Sequence, residues 1–239
     1  MTLLEVRGLG RSFGGLKALS DVSFAMGEGE LVGLIGPNGA GKTTLFELIG
    51  GSLPPSAGRI AFAGHDVTGW SSDRAALAGV GRTYQVVRAF RSMTALENVM
   101  VGAYLHERRP ATARGLALEV LERVGLAEQA HRPVLTLTLA SRKRLEMARA
   151  MATHPRLLLL DEVMSGLTPV ETQAAVQLVR SLNAAGLAIL LVEHVMEIVM
   201  PLSNRVLVLD HGVKIADGTP GEVSRDPSVI AAYLGVGDA

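Results

Sequence analysis

Gly36-Pro37-Asn38-Gly39-Ala40-Gly41-Lys42-Thr43 decides how this chain is read. It fits G-x-x-x-x-G-K-[ST], in which the glycines let successive backbone N–H groups point inward around phosphate oxygens. Upstream, Leu31 to Ile35 is an apolar run entered from the Gly27-Glu28-Gly29 turn, and it reads as a strand. Downstream, Leu45, Leu48 and Ile49 recur at helical spacing, and Gly50-Gly51 supplies the stop. Strand, glycine-rich loop and helix together make a phosphate site: the helix N-terminus adds its positive dipole end and Lys42 reaches the β and γ phosphates. Thr43 is then expected to hold Mg²⁺ through its hydroxyl, and Thr44 joins the same nucleotide cradle.

Leu4 to Leu9 and Val22 to Met26 read as strands before the loop, and Ile60 to Ala63 as one after it, between the Pro54-Pro55 turn and Gly64. From about Met93 to Thr153 the pattern is helical. Thr94 and Glu97 form a capping box, and Ala113, Leu116, Ala117, Val120, Leu121 and Val124 form one apolar stripe. The α/β alternation resumes with a strand Leu157 to Leu160 and a helix opened by Thr168, Pro169 and Glu171 and ended at Gly186. A strand Leu187 to Val192, a hairpin around Asp210-His211-Gly212 and a tail of turns and short helix from Pro220 complete the chain. Continuous apolar strands alternating with helices predict an α/β fold with a mainly parallel sheet covered on both faces.

Leu157 to Leu160 runs straight into Asp161-Glu162, so two acids stand at the carboxyl end of a buried strand, where open α/β sheets bind ligands. Asp161 suits the Mg²⁺ shell, and Glu162 suits orienting or deprotonating an attacking water. His194 stands at the end of the next strand, where it fits either a γ-phosphate contact or a structural role. Gln85 follows Arg82-Thr83-Tyr84; its neutral amide can ligate Mg²⁺ or hold a water, or simply face solvent.

Composition narrows the alternatives. The 239 residues include no Cys, which excludes Fe–S, thiolate–zinc and Cys-nucleophile chemistry. With 23 basic and 23 acidic side chains there is no broad cationic footprint, so no nucleic-acid partner is expected. The longest apolar runs, Leu157 to Leu160 and Leu187 to Val192, are far shorter than the roughly 20 residues of a membrane span. Glu5, Arg7 and Arg11 interrupt the N-terminus, so no secretory signal is read there and a cytoplasmic location is expected.

Taken in order and spacing, these residues resemble the ATP-binding cassette ATPases, and the resemblance covers nearly the whole chain. Phe13 then matches the aromatic that stacks on adenine, Gln85 the Q-loop residue, Asp161 the Walker B acid, Glu162 the catalytic carboxylate and His194 the switch histidine. The implied fold is a P-loop NTPase: one nucleotide-binding domain over 1–239. Its RecA-like core with an antiparallel β subdomain would occupy about 1–85 and 156–239, and its helical subdomain about 86–155. Arg82-Thr83-Tyr84-Gln85, Leu96-Glu97-Asn98-Val99, Arg144-Leu145-Glu146, Gly166-Leu167-Thr168-Pro169 and the ending Val229 to Gly235 look like the branched-chain amino acid importer branch. ATPases for urea import and lipopolysaccharide export share several of these features.

The chain also departs from the family pattern. Where the family has L-S-x-G-Q, it reads Leu137-Thr138-Leu139-Ala140-Ser141, with Val163 after the Walker B glutamate and Thr168 in the D-loop. Thr138 and Ala140 are carried over as contacts to the γ-phosphate of the opposite subunit, and Ser141 is expected to cap the helix that follows. The resemblance implies ATP and Mg²⁺ as cofactors and a second ATPase subunit, identical or homologous, as partner. It also implies integral-membrane permeases, indirectly a solute-binding protein, and a place on the cytoplasmic face of a bacterial plasma membrane. The segment Val86, Val87, Phe90 and Met93, flanked by Arg88 and Arg91, is expected to receive a permease helix.

Overall fold

The structure, a computed structural model, describes residues 1–84 and 89–234. Strands β1 (Thr2–Phe13) and β2 (Leu16–Gly27) form a long hairpin, followed by β3 (Leu31–Ile35) and helix α1 (Lys42–Ile49). Next come β4 (Ala57–Phe62), β5 (His65–Asp66), α2 (Ser72–Ala78) and β6 (Val80–Arg82). A run of helices follows, α3 (Ala95–Ala103), α4 (Pro110–Arg123) and α5 (Leu139–Met151). Then β7 (Leu157–Asp161), α6 (Pro169–Ala184), β8 (Ala188–Val192) and α7 (Met196–Leu202) restore the alternation, before the hairpin β9 (Arg205–Asp210) and β10 (Val213–Gly218) and the short helices α8 (Pro220–Val223) and α9 (Pro227–Leu234).

The larger sheet has the order β10-β9-β3-β8-β7-β6 and is parallel except for the β9–β10 pair. The smaller sheet, β2-β1-β4-β5, is antiparallel throughout. Side chains alternate across a strand, so β7 feeds two cores at once. Leu157 and Leu159 join Val32, Leu34, Leu190 and Val192 in a cluster closed by α1 and by Leu4, Val6, Ile60 and Phe62 of the antiparallel sheet. Leu158 and Leu160 join Leu31, Ile189 and Leu191 in another, closed by Val99 of α3, Leu145 of α5 and Val179 of α6. Burial on both faces explains the unbroken apolar runs, and each such Leu contributes roughly 1.5–3 kcal/mol relative to exposure.

Helix starts follow local chemistry. Thr94 and Thr168 each accept a bond from the N3 amide while Glu97 and Glu171 reach back to the cap, completing capping boxes for α3 and α6. Thr219 and Glu222 repeat the device at α8. The central strands end level: Leu34 of β3 and Asp161 of β7 both pair with Val192 of β8. The carboxyl ends of three adjacent parallel strands therefore deliver the glycine loop, the Asp161-Glu162 pair and Glu193-His194 to one edge.

Candidate functional site

At that edge the glycine loop is wedged between neighbouring strands. Gly36 has φ +147°, and a Cβ there would collide with the carbonyl oxygen of Leu209. Gly41 has φ +99°, and a Cβ there would lie 2.7 Å from the carbonyl oxygen of Ala18. Leu45 N–H bonds to Gly41 O at 2.9 Å, so the amides of Lys42, Thr43 and Thr44 belong to the open N-terminal turn of α1. Lys42 is buried and arches over the loop, its Nζ donating to Gly36 O at 2.6 Å and Pro37 O at 2.9 Å. Burial lowers the pKa of its ammonium, opposed by the charges of Glu162 and Asp161. A cation held on the loop carbonyls beside the open amides of a helix N-terminus fits a polyphosphate.

Asp161 is buried, and its N–H donates to Thr83 Oγ1 at 3.1 Å. Burial raises its pKa; the guanidinium of Arg82, 3.6 Å away, opposes that rise, and Glu162 adds to it. Glu162, the next residue, has φ +49°, a left-handed conformation that costs a non-glycine residue about 1–3 kcal/mol. Its Oε1 meets Nε2 of His194 across the two strand ends. Carboxylate and imidazole are thus presented as a pair that can orient a water and exchange a proton with it.

Phe13, Asn38 to Thr44, Glu162 and His194 line one cleft of about 790 Å³. Phe13 is 44% exposed at the end of β1, with the Arg11 guanidinium 4.7 Å from its ring centroid, so it is no core residue. Asp161 lies behind the cleft wall, and Gly36 and Pro37 contribute the carbonyls that hold Lys42. Thr43, exposed, and Asp161 supply hard oxygen donors of the kind Mg²⁺ takes, so the donor chemistry fits that ion. Gln85, Val86, Val87 and Arg88 lie outside the described residues. Lys17, Leu16, Ala18 and His211 also line the cleft and were not read from the sequence. Lys17 and Leu16 arrive through the β1–β2 register, opposite Ser12 and Phe13, and His211 through the β9–β10 turn.

Thr138 and Ala140 lie away from this cleft, at the start of α5. Here the expectation needs correcting: Thr138, not Ser141, caps the helix, which begins at Leu139. Thr138 Oγ1 accepts the Ser141 N–H at 3.2 Å and donates to Ser141 Oγ at 3.2 Å, leaving Ser141 at N3. Both residue types cap helices, and the backbone selects the earlier one. Ala140 is buried, whereas the preceding Leu139 is exposed. Three consecutive basic residues, Arg142, Lys143 and Arg144, follow Ser141, and they do not all reach for solvent. Lys143 is buried and its Nζ donates to the carbonyl of Glu162 at 2.7 Å. Burial lowers its pKa, opposed by Glu193 and Glu162. Glu193, also buried, accepts the Met164 N–H at 2.7 Å.

Comparison with known proteins agrees with this architecture. The ABC transporter family model matches residues 19–165, and the model described as branched-chain amino acid ATP-binding cassette transporter matches residues 213–239. The chain is 41% identical to LivG of Salmonella typhimurium, a high-affinity branched-chain amino acid transport ATP-binding protein, with 98% of each chain covered. It is 40% identical to BraF of Pseudomonas aeruginosa, described in the same terms, again over 98% of both. Among solved structures it is similar to an ATP-binding cassette of an ABC transporter in its ADP conformation, with TM-score 0.89 and 29% identity over 98% of this chain and 99% of that one. A nucleotide-free ATP-binding cassette gives TM-score 0.90 at the same 29% identity, over 98% of this chain and 100% of that one. The matched stretch spans the glycine loop, the helical run and the acids at the strand end, and the chain belongs to the ABC transporter family.

Proposed function

We propose that this chain hydrolyses ATP and thereby drives import of branched-chain or similar amino acids through a membrane permease. The observation that carries the reading is the convergence of Lys42 and its glycine loop with the Glu162–His194 pair in one cleft. In this reading the loop amides and Lys42 bind the β and γ phosphates, and Phe13 stacks on adenine. Thr43, Asp161 and Gln85 would hold Mg²⁺, which would supply charge neutralisation across the phosphates. Glu162 polarises the attacking water and His194 contacts the γ-phosphate and the carboxylate. The transport assignment is supported by what LivG and BraF are named for and by the match over residues 213–239.

The same reading gives the chain its partners. A second copy or a homologue would face it head to tail, bringing the first turn of α5, with Thr138 and Ala140, to the other subunit's nucleotide. Among the described residues no helix is long and apolar enough to cross a membrane, so attachment would be peripheral, at the cytoplasmic face and through the permease. Phe90, Val101 and Tyr104, all exposed near α3, offer an apolar docking surface; Phe90's backbone is pinned by buried Asn98 at 2.8 and 3.1 Å. A solute-binding protein would deliver the amino acid from the other side.

Glu162→Gln tests the chemistry: it should bind ATP normally but lose at least about a hundredfold in turnover. Undiminished hydrolysis would overturn the assignment. Uptake of radiolabelled leucine by liposomes holding the assembled transporter tests the cargo, and ATP-driven uptake of another solute class instead would remove the amino-acid part.

A further inference from the structure

We propose that Lys143 and Glu193 clamp the backbone around Glu162, and that through Lys143 the helix α5 sets the position of the water-polarising carboxylate in its own subunit. The inference rests on the role given to Glu162 above. Glu162 occupies a left-handed conformation that must be held from outside, and its peptide groups show how. Its N–H donates to Val192 O at 2.9 Å, which ties it to β8. Its carbonyl accepts from Lys143 Nζ at 2.7 Å, which ties it to α5. Two residues on, the Met164 N–H is held at 2.7 Å by the Glu193 carboxylate, at the end of β8. The turn that leaves β7 is therefore fastened on both sides by side chains from other elements.

Both fastening groups are ionisable and buried, Lys143 8% exposed and Glu193 3%. An apolar pair would cost less to bury, so a hydrophobic core alone gives no reason for these residues. Neither lines the nucleotide cleft, so neither is a catalytic residue; both are positioning residues that act through Glu162. The placement of Lys143 adds a mechanical link. It stands in the second turn of the helix capped by Thr138, the end proposed to meet the partner's nucleotide. A shift of α5 on dimer closure would carry its ammonium, and with it the carbonyl of Glu162, so engagement of the opposite site would be felt at this one.

The test compares steady-state ATP hydrolysis by the full chain assembled with its permease. Lys143→Met paired with Glu193→Gln leaves no buried charge unpartnered and keeps side-chain volume, so the double variant should have a thermal midpoint no lower than the parent's. It should lose about a hundredfold in kcat, the scale of a misplaced catalytic group, with KM for ATP changed by less than about threefold. Lys143→Arg, which retains a cationic donor, should hold kcat within about tenfold of the parent. A folded double variant that hydrolyses ATP at the parent rate would overturn the clamp, as would a loss seen in KM with kcat unchanged. Glu162→Gln run in parallel separates the two failures: if it turns over normally the proposed chemistry falls, whereas if it is silent and the double variant is active only the clamp falls.

Discussion

Replacing Glu193 by Gln isolates the energetic cost of burying one carboxylate. Burial pushes the Glu193 pKa from 4.5 up to about 6, against the opposing pull of the Met164 N–H, Lys143 and His194. The native state therefore holds the proton more tightly than the unfolded chain, so stability falls as pH rises through the interval between those values. A rise from 4.5 to about 6 corresponds to ~2 kcal/mol, lost in full once pH is well above 6. Gln is neutral at every pH and can still accept the Met164 N–H through its amide oxygen. At about pH 8 Glu193→Gln should thus be more stable than the parent by ~2 kcal/mol, and at about pH 5 by less than half of that. Urea unfolding of both proteins at the two pH values, followed by far-ultraviolet circular dichroism, measures the difference. An equal advantage at both pH values, or a variant less stable at the higher one, would refute the reasoning.

Lys42→Ala removes the ammonium held over the loop and should reduce ATP affinity by at least about tenfold in a binding titration. Phe13→Ala should weaken ATP binding by roughly 5- to 150-fold without lowering the thermal midpoint, since stacking is worth about 1–3 kcal/mol and the ring is outside the core. In the parent, GTP should bind within about tenfold of ATP, because stacking tolerates base identity; competition binding measures it. Phe90→Cys should cross-link to the permease in an assembled complex, the natural chain having no thiol of its own; intact complex without adduct would place the interface elsewhere.

The parts of this molecule legible in its sequence are those where one short segment carries both structure and chemistry. The glycine loop sits between an apolar run and a helical period, and Asp161-Glu162 ends a run of four leucines, so fold and candidate site are written in the same residues. The capping boxes at Thr94 and Thr168 were legible for the same reason, since N-cap and N3 are fixed by spacing alone. The clamp was not legible. Lys143 lies 19 residues from Glu162 and Glu193 lies 29 from Met164, and no local period connects them. Lys143 stands between Arg142 and Arg144 in a run of three cations, and only tertiary packing turns it inward. Likewise β6 is three residues long with one apolar side chain, and α2 buries only Ala75, so neither shows a stripe to read.

The wedging of the glycine loop has a consequence for how nucleotide is discriminated. With Gly36 pressed on β9 and Gly41 on β2, the cradle is preformed, and little conformational entropy is lost when a polyphosphate enters. A receptor already shaped for its ligand gains affinity because it need not be ordered on binding. On the proposed reading, the loop would hold the phosphates common to spent and fresh nucleotide without rearranging, and Lys42 would add a contact to the third. The rest of the distinction would then fall to Glu162 and His194, which line the same cleft. In such a division of labour the loop serves as a permanent holder, and the timing of the cycle resides in the strand-end pair and whatever moves it.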